Sequence, residues 1–257
     1  MPYCRGMNLI ILTESDRAGG SRFKIADHRA VHIREVLRAT AEETVEVGML
    51  NGPVGTALIK EVTPEEILLE VSEWREMPGL AYEVDLICAI PRPKTLKKVL
   101  TVSAMMGVRT VHFVRANRTD KSYVASSLLH EPDCLPYIFD GLSQGKFTRL
   151  PSIQVHPLFR PFVEDELPVL YQPNDKQVKL LCDSSVDTIL SRVLPAGSPL
   201  KFVIVIGPEG GWVPFETELL KQAGFQPFTL GPWTLRVETA VTAALSQLEL
   251  AFSSQRD

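Results

Sequence analysis

Val203-Ile204-Val205-Ile206-Gly207-Pro208-Glu209-Gly210-Gly211-Trp212 decides the fold of this chain. An apolar, β-branched run ends on a glycine-rich turn, and Pro214 then marks the start of a helix that Gly224 closes. A second stretch repeats the arrangement: Leu230-Gly231-Pro232-Trp233-Thr234-Leu235-Arg236-Val237-Glu238-Thr239-Ala240 leads from a β-prone run into a helical pattern. That last helix runs from about Arg236 to Phe252, with Val237, Val241, Leu245, Leu248 and Phe252 on one face. In an open α/β sheet, ligands bind beyond the carboxyl ends of the strands. Two such loops therefore point to one ligand pocket, and their glycines let backbone approach the ligand closely.

Upstream the same alternation continues. Glu83–Ile90 is an apolar run closed by Pro91 and Pro93. Lys94–Met106 carries Leu96, Val99, Leu100 and Met106 at helical spacing and stops at Gly107. Val108–Val114, Gln177–Cys182 and Lys201–Ile206 are strand candidates. Strands alternating with helices imply a mostly parallel sheet. Residues 7–74 read differently, as short strands and turns. Thr44–Leu50 alternates before Asn51-Gly52, a hairpin signal, and 54–59 and 66–71 follow as strands. Asp27 is the N-cap of a helix that runs to Arg38. The predicted division is a small β-barrel-like domain at 1–76, a linker at 77–82 around Pro78-Gly79, and an α/β domain at 83–257.

Composition excludes several classes. At 45% apolar residues the 257-residue chain can build a substantial core. No apolar run is long enough for a bilayer, and the N-terminus lacks the pattern of a secretory signal. Cys4, Cys88, Cys134 and Cys182 form no CxxC pair, so the expectation is free thiols in a reducing cytoplasm and no metal. The net charge of −4 hides a local imbalance. Residues 1–40 carry seven Lys/Arg against four Asp/Glu, and residues 92–121 carry eight against Asp120 alone. Such a basic surface is either a phosphate footprint or a solvated face. Arg22, Arg34, Arg38, Lys94, Lys97, Lys98 and Arg118 are the candidate phosphate contacts.

Gly207–Gly211 is not a P-loop, lacking the Gly-Lys-Ser/Thr ending, and its spacing is not a dinucleotide fingerprint. Taken together, Ile-Gly-Pro-Glu-Gly-Gly-Trp and Leu-Gly-Pro-Trp-Thr-Leu-Arg-Val-Glu-Thr-Ala resemble the RsmE-type ribosomal RNA uridine methyltransferases of the SPOUT superfamily. His32–Arg38 and the Asn51-Gly52 hairpin look like that family's barrel-domain signature. The resemblance implies a PUA-like β-barrel, then an α/β methyltransferase domain with a C-terminal trefoil knot. It also implies S-adenosylmethionine as cofactor, a homodimer, and methylation of N3 of a uridine in small-subunit (16S) ribosomal RNA. The chain departs from the family at Met105-Met106, at Ala116–Lys121 and around Phe147. Those departures keep open a different ribosomal or transfer RNA target, ribose 2′-O-methylation, or a non-catalytic RNA-binding assembly factor.

The cofactor site is expected at Leu181, Cys182, Ile206, Gly207, Pro208, Glu209, Gly210, Leu230, Gly231, Trp233 and Leu235, with apolar walls and backbone groups for adenine. The imide nitrogen of uracil is a poor nucleophile while protonated, so a fixed guanidinium that stabilises the anion is needed. Arg236 is the candidate, with a bracing salt bridge to Glu238 or Glu209 as its alternative. Glu238 is either a proton acceptor or a carboxylate favoured by the helix dipole. Glu209 is expected to satisfy backbone N–H groups.

Overall fold

The computed structural model describes residues 8–77, 80–172, 177–195 and 201–253. Cys4 and the Pro78-Gly79 of the expected linker lie outside the described residues. The chain divides into two compact units, Met1–Gly79 with Phe139–Leu150, and Leu80–Ile138 with Pro151–Asp257.

The first unit contains β1 (Ile10–Leu12), β2 (Arg17–Gly19), β3 (Arg22–Ile25), α1 (His28–Val31), β4 (Thr44–Met49), β5 (Val54–Val62) and β6 (Ile67–Arg75). The strands form one sheet in the order β1-β4-β5-β6-β3-β2. Its described pairs are antiparallel except β1 with β4. The β4–β5 hairpin turns at Asn51, whose φ of 58° is the left-handed conformation that asparagine tolerates. Asp27 caps α1 by accepting from Arg29 N (2.9 Å), and wider π-type turns carry the helix on through His32–Leu37. The helix ends at Arg38, also left-handed. Val45 and Val47 point inward and alternate with Thr44 and Glu46, as period-two alternation requires. They join Phe23, Ile25, Ile33, Ile59, Ile67 and Leu69 in one core. Residues 139–150, expected with the C-terminal domain, belong to this unit. Leu9 N donates to Ser143 O (3.0 Å), Asn51 N to Thr148 O (2.7 Å), and Leu150 N to Asn51 Oδ1 (2.8 Å).

The second unit contains β7 (Glu83–Ala89), α2 (Pro93–Met105), β8 (Thr110–Val114) and α3 (Lys121–Val124). The helix α4 (Leu135–Gly145) begins in this unit and ends in the first. Then come β9 (Ser152–His156), α5 (Phe159–Pro161), α6 (Leu167–Leu170), β10 (Gln177–Cys182), α7 (Leu190–Val193), β11 (Lys201–Ile206), α8 (Pro214–Gln222), β12 (Gln226–Phe228) and α9 (Val237–Ser253). The sheet is parallel, in the order β12-β10-β11-β7-β8-β9. Its central strands β7 and β11 are buried almost throughout, which explains their unbroken apolar runs. Val203 and Val205 pack with Phe162, Leu167 and Leu220 on one face. Phe202 points to the other face, where its ring lies 5.4 Å from that of Tyr82 and 6.3 Å from that of Phe252. Val237, Val241, Leu245, Leu248 and Phe252, the expected inner face of α9, are all buried. Each such side chain stabilises the fold by about 1.5–3 kcal/mol. The predicted ends of α2 and α8 hold, with Gly107 (φ 72°) and Gly224 (φ 90°) in the conformation that stops a helix.

Candidate cofactor site

Three parallel strands, β10, β11 and β12, end side by side, and the loops that leave them enclose a cavity of about 750 Å³. Of the residues expected there, Cys182, Ile206, Gly207, Pro208, Glu209, Gly210, Leu230, Gly231, Trp233 and Leu235 line it. Leu181 does not. Neighbouring strand residues face opposite ways, and Leu181 is buried in the core with Val203 and Leu220. Asp183, Ser185, Thr229, Glu218 and Lys221 also line the cavity and were not expected. The Asp183 carboxylate accepts from Ser185 N (2.9 Å) and Ser185 Oγ (2.6 Å) in the turn after β10, a local signal readable only once that strand end is placed.

The first loop is shaped by close packing. A Cβ on Gly207 would stand 2.9 Å from Nε1 of Trp212, so only glycine lets the indole lie over the backbone there. Glu209 Oε1 accepts from Arg92 N (3.3 Å), the backbone-satisfying role expected of it. Glu216, 2% exposed, accepts from Asn117 N (2.6 Å) with Oε1 and from Val213 N (3.1 Å) with Oε2. This buried carboxylate ties the segment after β8 to the start of α8. Arg118 donates from Nη1 to Gly210 O and also lines the cavity. The second loop turns at Gly231, whose φ is +129° and whose Cβ would meet the Trp233 ring at 2.5 Å. Gly231 N donates to Thr229 Oγ1 (3.2 Å), and Gln247 Nε2 of α9 donates to Leu230 O (3.1 Å). Trp233 itself is 67% exposed.

Arg236 and Glu238 stand just outside the cavity, while their neighbours Leu235 and Val237 line it. Arg236 is exposed, and among the described residues its guanidinium has no hydrogen bond or ion pair. Neither bracing partner holds it. Glu238 instead accepts from Lys98 Nζ of α2 through Oε1 (2.9 Å), and its Oε2 is buried without a partner. Burial would raise the Glu238 carboxyl, but the Lys98 hydrogen bond, with the charges of Lys98 and Arg236, outweighs it and holds the pKa below the ordinary value. A carboxylate so stabilised is a weak base at neutral pH.

With this geometry in place, the chain can be set beside known proteins. Residues 78–249 match the RNA methyltransferase domain family. The ribosomal RNA small subunit methyltransferase E of Treponema pallidum is 30% identical over 240 residues, covering 93% of this chain and 89% of that protein. The chain belongs to the ribosomal RNA small subunit methyltransferase E family. A Borreliella burgdorferi member, ribosomal RNA small subunit methyltransferase E 1, is 26% identical over 93% of this chain and 95% of its own length. Among solved structures, the Neisseria gonorrhoeae methyltransferase E bound to S-adenosyl methionine superimposes with a TM-score of 0.75. That match has 21% identity and covers 95% of this chain and 97% of that one. A Legionella pneumophila protein solved with bound cofactor SAM gives 0.74 at 24% identity, over 95% and 98% of the two chains. These likenesses establish the α/β methyltransferase fold.

For a methyltransferase E family member the basic residues are of interest, and the structure places them variously. In the first unit, Arg22 pairs with Glu70 (3.2 Å), Arg34 donates to Thr63 O (3.1 Å), and Arg38 is exposed at the end of its helix. In the second, Lys94 is exposed, Lys97 lies over the Tyr137 ring at 4.9 Å, Lys98 holds Glu238, and Arg118 holds Gly210. Cys88, Cys134 and Cys182 are free thiols, and burial pushes Cys88 and Cys182 well up. Among the described residues no group of three or more His, Cys, Asp or Glu is placed to hold a metal ion, and no helix is long and apolar enough to cross a membrane.

Proposed function

We propose that this protein transfers the methyl group of S-adenosylmethionine to small-subunit ribosomal RNA, and that the acceptor is N3 of a uridine. The observation that carries the reading is the cavity at the ends of β10, β11 and β12, in a chain of the methyltransferase E family. Its residues fit the cofactor. Ile206, Leu230, Leu235 and Val237 offer apolar walls for adenine. Gly207 and Gly231 let the Trp212 and Trp233 rings pack against the loops that line it, and the carboxylates of Asp183, Glu209 and Glu218 suit a cationic ligand.

When bound, S-adenosylmethionine supplies an electrophilic methyl group on a sulfonium centre. The protein's part is to deliver the uracil nitrogen as its anion and to hold it still. Arg236, beside the cavity and with no hydrogen bond or ion pair among the described residues, stabilises the negative charge spread over the two uracil carbonyl oxygens. Its rigid fork of donors suits two oxygens better than an ammonium does. Alignment of the two reactants by the loops accounts for ~7–11 kcal/mol of such a barrier. Glu238 is assigned to bracing, because Lys98 keeps its proton affinity low.

The same reading assigns RNA binding to a PUA-like barrel at 1–76, to which residues 139–150 return, joined through 77–82 to the catalytic domain that otherwise spans 83–257, whose C-terminal part forms the trefoil knot. The working unit is an isologous homodimer in the cytoplasm. Arg22, Arg34, Arg38, Lys94, Lys97 and Arg118 then serve phosphates. The test is calorimetry with S-adenosylmethionine, followed by mass mapping of small-subunit RNA from cells that lack the protein. Loss of one N3-methyluridine, restored by the wild-type gene, supports the reading. Loss of a ribose methyl group, or of none, overturns it.

A further inference from the structure

Arg236 and Glu238 are opposite charges two residues apart at the start of α9, yet they do not pair. Glu238 is taken by Lys98, which reaches across from α2, 140 residues away in sequence. The Glu238 side chain is only 13% exposed, whereas that of Lys98 is 52% exposed. One carboxylate oxygen receives the ammonium at 2.9 Å, and the other is buried without a partner. The ion pair therefore sits at a partly buried carboxylate with one oxygen sealed from solvent, which a neighbouring cation favours more than it would a fully exposed one.

We infer that Lys98 is a positioning residue for methyl transfer: by occupying Glu238 it leaves the Arg236 guanidinium free for the substrate. The inference rests on the proposed role of Arg236. The cations that act on Glu238 are Lys98 and Arg236. If Lys98 is removed, a partly buried carboxylate is left without its hydrogen-bonded cation, which is unfavourable. Arg236 is the cation at hand to neutralise it. A guanidinium drawn to Glu238 is lost to the uracil oxygens, both in charge and in direction. Lys98 thus keeps Arg236, whose charge already acts on Glu238, from being drawn onto that carboxylate. This differs from a phosphate contact, the role that its place in a basic segment suggests.

The two roles give opposite signatures. Lys98→Gln is expected to lower kcat about tenfold, a fraction of what loss of a preorganised donor costs. The affinity for S-adenosylmethionine and the KM for RNA stay near wild type. Combining it with Glu238→Gln removes the anion that captures Arg236, so kcat returns to within about threefold of wild type. Lys98→Arg, which keeps a cation on Glu238, retains most of the rate. Thermal melting of each variant identifies any that fail to fold, and Lys98→Arg then carries the comparison with wild type. A phosphate contact predicts instead a raised KM, a salt dependence of RNA binding shallower by about 0.7–0.9, and no rescue by Glu238→Gln. That pattern, or an unchanged kcat in Lys98→Gln, overturns the proposal. If the wild-type protein transfers no methyl group to RNA, the underlying reading fails instead, and the two failures are told apart in one assay series.

Discussion

His112 and His156 meet ring to ring inside the second unit, with Nδ1 of the first 3.0 Å from Nε2 of the second. The contact is one link in a buried polar chain. The Tyr171 hydroxyl lies 2.9 Å from His112 Nε2 and donates to Asp85 Oδ2 (3.1 Å), and His156 Nδ1 lies 2.8 Å from Glu166 Oε2. Burial is the main influence on His112, and repulsion from His156 adds to it. Together they outweigh the attraction of Asp85 and depress its pKa to about 4. His156 is also held below its ordinary value by burial, against the pull of Glu166.

The sign of the resulting pH dependence follows directly. His112 stays neutral in the folded chain while in the unfolded chain it takes up a proton near pH 6.5, so acid favours unfolding. The stability is fully present above about pH 6.5 and is lost as pH falls toward about 4, His112 contributing up to ~3 kcal/mol. Melting temperature measured from pH 8 to pH 4.5 is expected to fall through this window in the wild type and less steeply in His112→Gln. A flat wild-type profile would mean that the pair charges freely in the fold.

Arg236→Lys is expected to lower the methylation rate by ~10²–10³ with cofactor affinity unchanged. Because the Arg236 side chain has no partner among the described residues, its loss leaves thermal stability as it was. Raising the pH restores part of the rate, since free uracil then supplies more of its own anion. Single-turnover rates across pH, with calorimetry in parallel, measure both. Wild-type turnover in Arg236→Lys removes this residue from the mechanism.

Gly231→Val is expected to weaken S-adenosylmethionine binding at least about tenfold. A φ of +129° is closed to β-branched residues, and the new side chain drives into the Trp233 ring. Isothermal titration of the folded variant is the check, and undiminished affinity would move the cofactor away from this loop.

In the first unit, Arg29 holds both oxygens of Asp16 at 2.7 Å, and that carboxylate is 9% exposed. Arg29 also donates to Ile11 O (2.6 Å) and to Asp27. Arg29→Met strands the Asp16 charge and is expected to cost about 3–5 kcal/mol. Urea unfolding followed by Trp74 fluorescence reads this loss, and a midpoint unchanged from wild type would show the pair to be dispensable.

What was legible in the sequence was mainly local. Asn51-Gly52, the Asp27 cap, Pro214 and Gly224 each state a backbone conformation within a few residues, and each holds in the structure. The strand β9 gives no reading in the sequence, and β12 shows only as a β-prone run without bounds. Gln226–Phe228 is three residues long with Pro227 in the middle, and Ser152–His156 ends on a histidine whose burial depends on His112, Glu166 and Phe162. The pattern of α4 is interrupted by Pro136, Gly141 and Gly145, although Ile138 and Leu142 are buried at helical spacing. In the site, the two glycine loops announced the cavity, but the side chains that set its electrostatics did not. Lys98 meets Glu238, Asn117 meets Glu216 and Arg92 meets Glu209 across 140, 99 and 117 residues. No spacing rule reaches that far.

The return of residues 139–150 to the first unit has a consequence for dissecting the protein. The chain passes between the units at 79/80, 138/139 and 150/151, so no single cut releases either one whole. A fragment starting at residue 80 carries Ser143 and Thr148 away from Leu9, Asn51 and Gly52, and leaves the β4–β5 turn in the other piece with unmet hydrogen bonds. The two halves of the gene are in this sense not interchangeable cassettes. Grafting the first unit onto another enzyme would have to bring along a twelve-residue insert from the middle of the second.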